Sequence, residues 1–270
     1  MTAMTLRTKP WPAGVPCWAD LTTPDPAAAQ AFYGAVLGWD FDAPGGDEYG
    51  GYVIARKRGA PAAGIGPLQQ EGVPSAWTLY IASDDVEKTA AAVTEHGGTV
   101  ILPPGQVGRM GSLLVALDPT GAAFGVWQAG EHIGAGIANE PGGLVWEDLR
   151  SSDLDRARSF YAGVFGWETR ALPAAGPDYY AFSLAGTEIT LGGMGGMMGH
   201  DDVPPHWLVY FAVPDIAAAL AAVERRGGSV LMRDFDTPYG RMAAVTDPGG
   251  ASFWVIENDG SGNPDRSDDA

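Results

Sequence analysis

Residues 18–40 read WADLTTPDPAAAQAFYGAVLGWD, and residues 146–168 read WEDLRSSDLDRARSFYAGVFGWE. At a constant offset of 128, Trp18 meets Trp146, Asp20 meets Asp148, and Asp25 meets Asp153. Phe32-Tyr33 likewise meets Phe160-Tyr161, and Gly38-Trp39 meets Gly166-Trp167. The match runs on. Trp77 and Tyr80 pair with Trp207 and Tyr210, Gly97-Gly98 with Gly227-Gly228, and Asp118-Pro119 with Asp247-Pro248. An internal repeat of this regularity means one structural unit built twice. It also supplies a control, because a residue present in one copy alone marks asymmetric function.

Within each copy the local signals agree. A short strand comes first (17–21; 145–149). Asp25 or Asp153 then caps a helix, with Pro26 at the first turn of the first copy. Ala29, Phe32, Tyr33 and Val36 fall on one helical face, as do Ala157, Phe160, Tyr161 and Val164. Gly38 and Gly166 stop these helices. Strand-like runs follow at 52–55, 62–65 and 78–82, and in the second copy at 179–184, 188–192 and 208–213. A second helix is marked by Val86, Ala90 and Val93, or by Ile216, Leu220 and Val223. Paired glycines end it. Further strands, joined by an Asp-Pro-x-Gly turn, close the copy. The expected class is α+β, two tandem βαβββ modules at 12–128 and 144–258. Residues 129–143 form an ordered crossing segment, and 259–270 a disordered acidic tail.

The totals exclude several function classes. A net charge of −17 disfavours nucleic acid and anionic membranes as partners, since their phosphates attract Lys and Arg. The single cysteine, Cys17, permits no intramolecular disulfide and no thiolate zinc cluster. No apolar leader or span of membrane length is visible, so the expected location is the cytoplasm.

The Trp-x-Asp-Leu opening, the capping Asp, Phe-Tyr seven residues later, the Gly-Trp step and the Asp-Pro-x-Gly turn resemble the vicinal oxygen chelate superfamily. This is the glyoxalase, bleomycin-resistance and extradiol-dioxygenase group, and the doubling is similar to its tandem glyoxalase-like members. The resemblance implies strands curled into a cup around a cavity, with helices outside. It also implies three metal-ligand points per module. These fall on Trp18, Thr78 and Gly125, and on Trp146, Leu208 and Trp254, or on Trp77 and Trp207 with a slip of one. None is His, Glu, Asp or Cys, the donors a protein-bound divalent metal needs. No metal and no cofactor are therefore expected.

Asp20 and Asp148 follow Trp18 and Trp146 by two residues. In a strand they share a face, which makes these acids the candidate catalytic groups. Trp18, Trp77, Trp127, Trp146, Trp207 and Trp254 lie on predicted strands and are the candidates for stacking a flat ligand; about half are expected to fill core instead. Met194, Met197 and Met198, set among glycines and absent from the first copy, suggest a lid. His132 in the crossing segment, His206 beside Trp207, and Arg241, which replaces Ser112, complete the candidates. His96 and His200 are weaker. Cys17 is expected to point away from Trp18 and to be inert. The leading expectation is a metal-independent protein that holds a bulky aromatic, drug-like or secondary metabolite. Its role would be sequestration or assistance to biosynthesis, as a monomer or homodimer. The alternative is a glyoxalase-like lyase, isomerase or hydrolase that uses a cavity carboxylate as base. A third is an interaction protein with no ligand.

Overall fold

The computed structural model describes residues 6–46, 49–68, 74–199 and 202–258. The expected tail and His200 lie outside them. The first copy runs β1 (Pro16–Thr23), α1 (Pro26–Leu37), β2 (Asp40–Phe41), β3 (Val53–Lys57), β4 (Ala60–Pro67), β5 (Ala76–Ala82), α2 (Val86–Glu95), β6 (Thr99–Val107), β7 (Gly111–Leu117) and β8 (Ala123–Ala129). The second runs β9 (Leu144–Arg150), α3 (Leu154–Phe165), β10 (Trp167–Ala171), β11 (Tyr179–Leu184), β12 (Gly192–Gly195), β13 (His206–Val213), α4 (Ile216–Arg225), β14 (Ser229–Thr237), β15 (Gly240–Thr246) and β16 (Ser252–Glu257). The architecture is α+β in two tandem modules, and each module carries the β-α-β-β-β order twice.

Each module makes one eight-stranded sheet, ordered β2-β3-β4-β1-β5-β8-β7-β6 and β10-β11-β12-β9-β13-β16-β15-β14. The antiparallel pairs β1–β5 and β9–β13 lie at the centres, flanked by parallel neighbours. The helices start as their caps dictate. Asp25 Oδ1 accepts from Ala28 N at 2.9 Å, and Asp153 Oδ1 from Arg156 N at 3.0 Å. Gly38 and Gly166 close them in the left-handed region, at φ 67° and 69°.

The apolar helix faces meet across the repeat. Helix α1 touches α4 and β13, α2 touches α3, and one continuous apolar core joins both modules. The repeated Phe-Tyr and Asp-Pro steps explain the crossing. Tyr33 donates to Asp247 Oδ2 at 3.1 Å, while Tyr161 donates to Asp118 Oδ2 at 3.2 Å. Each phenol also accepts an indole N–H, from Trp77 at 3.1 Å and Trp207 at 2.9 Å. The other oxygen of each aspartate ties down its own turn through backbone N–H groups. Replacing Asp247 by Ala therefore strands a buried phenol and a buried N–H together. It is expected to cost about 2 kcal/mol or more, read as a lower urea midpoint at unchanged slope.

Because the helices and the shared core cover one face of each sheet, the cups lie on the two faces turned away from that core. Among the described residues no helix is long and apolar enough to cross a membrane. Residues 188–192, expected as a strand, pair only from Gly192 onward; β12 takes in Met194 of the stretch expected as a methionine lid and ends at Gly195, before Met197 and Met198. The cause is the floor of the second cup. A Cβ at Gly193 would collide with the Tyr179 hydroxyl, so this glycine makes room for a ring.

Candidate functional site

Strand register aligns the cup floors. Trp18 is opposite Tyr80 and Tyr80 opposite Gly125, one row across β1, β5 and β8. The second cup repeats the row as Trp146, Tyr210 and Trp254. The row that the resemblance reserved for metal ligands thus passes through Tyr80 and Tyr210. Thr78 and Leu208 stand instead opposite Asp20 and Asp148. Two aromatics and a third apolar residue or glycine do not make a divalent-cation site. Among the described residues no three His, Cys, Asp or Glu side chains cluster as metal ligands.

The next row along carries the acids. In the first cup, Asp20 accepts from the Tyr52 hydroxyl at 3.2 Å and from Tyr80. Tyr52 in turn accepts the Trp18 indole N–H at 2.9 Å. Burial raises the Asp20 carboxyl from 3.8 to about 7, against the lowering pull of the two phenols. In the second cup, Asp148 is bonded by the Tyr179 hydroxyl, by Trp146 Nε1 at 2.8 Å and by the Tyr210 hydroxyl at 2.9 Å. Here a cation is added. Arg150 Nη2 lies 2.9 Å from Asp148 Oδ2, and both side chains are largely buried. Thr22 holds the equivalent position in the first copy. The four tyrosines and Arg150 were not singled out from the sequence. Arg150 had a signal: it follows Asp148 by two residues and has no counterpart in the other copy.

The remaining candidates separate. Trp127 lies in the first cup's cluster with Cys17, Trp18 and Tyr80. Its indole N–H donates to the His132 carbonyl at 2.8 Å. The His132 ring meets Trp18 edge-on at 4.5 Å and Trp127 at 5.5 Å. Its Nε2 is buried and makes no hydrogen bond. Burial, aided by Arg56, lowers that imidazole to about 4, so it is neutral at pH 7. Cys17 joins the cluster because a bulge between Pro16 and Trp18 interrupts the alternation that would have turned it away. Burial holds its thiol protonated, with the pKa pushed well up.

Trp77 and Trp207 do not line the cups. They face the helices and pack into the core beside Tyr33 and Tyr161. Met194 lies opposite Leu149 and is fully buried in the same core. Met197 is also buried, while Met198 is exposed. Arg241 is paired with Asp234 and Asp236 on β14 and lies near Glu257 at the end of β16. His206 stands at the second cup's rim across from Arg150, with Nδ1 2.8 Å from the Pro204 carbonyl. Trp39 and Trp167, expected as packing residues, also bond backbone carbonyls, Trp39 that of Gly142 in the crossing segment and Trp167 that of Gly14 in the first module, each at 2.7 Å.

A pocket of about 190 Å³ opens beside the first cup, walled by Trp11, Cys17, Ala82, Trp127 and Ile133 among others. That is room for about one aromatic ring.

The glyoxalase-like domain family matches residues 18–127, and the Glyoxalase/Bleomycin resistance protein/Dioxygenase superfamily matches residues 136–255. CFP32 of Mycobacterium tuberculosis, a glyoxylase by name, is 40% identical over 90% of this chain and 95% of its own. The anthracycline biosynthesis protein DauV of Streptomyces sp. is 35% identical over 90% of this chain and 93% of its own. A Mn(II)-bound glyoxalase from Novosphingobium aromaticivorans has the same fold, with a TM-score of 0.64 at 15% identity over 91% of this chain and 82% of that one. With two matched units and relatives similar along nine-tenths of its length, the chain belongs to the glyoxalase, bleomycin-resistance and dioxygenase superfamily.

Proposed function

We propose that the protein binds planar aromatic molecules without a metal, in a cup floored by indoles and phenols. Its role is to sequester such a molecule or to assist its biosynthesis. The observation that carries this reading is the row Trp18–Tyr80–Gly125, repeated as Trp146–Tyr210–Trp254. At most of the points where the fold could chelate a metal, the chain carries aromatic side chains. Ring faces favour flat, fused-ring ligands through stacking. Similarity to two proteins named for anthracycline biosynthesis supports that ligand class.

The test is titration with an anthracycline, following tryptophan emission and thermal stability. Quenching is expected. At a ligand concentration a hundred times Kd, stabilisation should reach about 2.7 kcal/mol, unchanged by a chelator. Absence of quenching and of any thermal shift across a panel of polycyclic aromatics would end the reading, and loss of binding on chelation would end its metal-independent part.

Asp20 favours a second reading. A carboxyl raised to about 7 by burial and held by two phenols is poised to give or take a proton at neutral pH. Under that reading the protein is an enzyme, a lyase, isomerase or hydrolase. Its turnover would show a limb near pH 7 and would be abolished in Asp20→Asn.

A further inference from the structure

The two cups differ in what covers them. In the first, the chain's own crossing segment lies over the floor. Its Ala135 N–H donates to Cys17 O and its Gly136 N–H to Pro61 O, each at 2.8 Å, and the Trp11 indole donates to Ala135 O at 3.0 Å. From the same segment the His132 ring meets Trp18 and Trp127. Trp18, Tyr80 and Trp127 are left only 3%, 7% and 7% exposed. The pocket beside them has room for about one ring and is walled by neither Trp18 nor His132.

Among the described residues the second cup has no such cover. The chain leaves β16 at Asn258, whose backbone N–H turns back to Val213 O at 2.9 Å and whose side-chain amide donates to Asn139 O at 3.1 Å. Beyond it the sequence reads DGSGNPDRSDDA, without an aromatic or large aliphatic residue to lay over a ring. Yet this cup is the more apolar one. Leu208 stands where the first copy has Thr78, Phe235 where it has Gly105, and Trp254 where it has Gly125. Trp146, Leu208, Met242 and Trp254 pack against the cluster that holds Tyr210 and stay half-buried. Met232, Phe235 and Tyr239 are 41%, 39% and 43% exposed. Phe235 meets Trp254 edge-on, and Tyr239 lies nearly parallel to Trp146.

Apolar side chains gathered on one face and left to water mark a binding surface. This one has a size. Trp146, Tyr210 and Trp254 sit on three adjacent strands, about 10 Å across, and Leu208 follows on the same face about 7 Å along. A single benzene ring would cover part of that shelf, a fused-ring system most of it. We propose that the second cup alone takes the ligand, a planar fused-ring molecule laid across Trp146, Leu208 and Trp254 with Phe235 and Tyr239 as its outer wall. This rests on the aromatic-binding reading above and narrows it to one cup and one ligand size. The first cup is already occupied by the chain itself.

Calorimetric and fluorescence titration of the full chain with quinizarin, a three-ring dihydroxyanthraquinone, and with one-ring hydroquinone tests it. One quinizarin per chain is expected, bound roughly tenfold or more tightly than hydroquinone because it covers more apolar surface. Trp254→Gly, which copies Gly125, should weaken quinizarin roughly tenfold. Leu102→Ser, at an exposed position of the first module's β6, should leave it unchanged. In indole N–H spectra of the parent protein, quinizarin should shift Trp146 and Trp254 and leave Trp18 and Trp127 in place. Two quinizarins per chain, equal affinity for the two ligands, shifts at Trp18 and Trp127, or full affinity in Trp254→Gly would each overturn the proposal while leaving aromatic binding intact. Self-association that buries Phe235 and Tyr239, or binding seen only after removal of residues 259–270, would also overturn it, because a second copy or the tail would then be the occupant. If no polycyclic aromatic binds, the broader reading falls with it. The spectra and the stoichiometry need no variant, so a poorly folded Trp254→Gly protein does not rescue the idea.

Discussion

Asn in place of Asp20 is expected to raise the melting temperature of the protein at pH 8 and to change it little at pH 4. The Asp20 carboxyl titrates at about 7 in the fold against an ordinary value of 3.8, because burial penalises its charge. A group whose folded value is raised gives stability that is fully present below the unfolded value. That stability is lost as the pH climbs through the folded one. Between pH 4 and 8 the native protein must therefore either hold a proton on Asp20 or bury an anion to which, among the described residues, no cation is bonded. The difference of about 3 units corresponds to something on the order of 4 kcal/mol at full ionisation. Asn has the same shape and can still meet Tyr52 and Tyr80, one through its oxygen and one through its amide N–H. It carries no charge to penalise. At roughly 2–4 °C per kcal/mol for chains somewhat shorter than this one, several degrees should separate the variant from the parent at pH 8. Melting curves across pH 4 to 8 check this. A constant gap, or a variant less stable at pH 8, would contradict the burial of an unpaired acid.

The opposite result is expected in the second cup. Thr in place of Arg150 copies the first cup's Thr22 and removes the only cation bonded to Asp148 among the described residues. The parent ion pair is no great source of stability, since both partners were desolvated to make it. Removing one partner alone strands a buried carboxylate, which costs about 3–5 kcal/mol. Arg150 also lies over the Tyr179 ring at 5.7 Å, so some packing goes with it. Chemical denaturation at pH 7 should show the loss, and adding Asp148→Asn to Arg150→Thr should return much of it. If the double variant is no better than the single one, the cost lies in packing and not in charge.

These two acids show what the sequence could and could not tell. Trp18 with Asp20, and Trp146 with Asp148, share a cup because strand residues two apart share a face, and alternation alone revealed that. The helix starts at Asp25 and Asp153 and the stops at Gly38 and Gly166 were equally local, each decided within one turn of chain. Cys17 broke the same alternation, because a bulge depends on the partner strand's register. Trp77 and Trp207 were counted with the cup although their strands face two ways, and only the phenols of Tyr33 and Tyr161 decide which face takes the indole. Met194 looked like part of a mobile lid because its glycines were read as freedom. Gly193, its neighbour, is the space left for the Tyr179 ring, which arrives from another strand. Tyr52, Tyr80, Tyr179 and Tyr210 bond the acids from 31 to 62 residues away, or from a neighbouring strand, and no spacing rule reaches them.

The crossed bonds from Tyr33 to Asp247 and from Tyr161 to Asp118 also bear on how the duplicated halves can change over time. A substitution in the Asp-Pro turn of one half is felt by the helix of the other, so neither half can drift there alone. The cups sit on the outward faces, where no bond obliges one to follow its twin. Duplication has thus left a molecule with a shared grip and two independent palms, and a new ligand preference can be tried in one palm while the grip stays fixed.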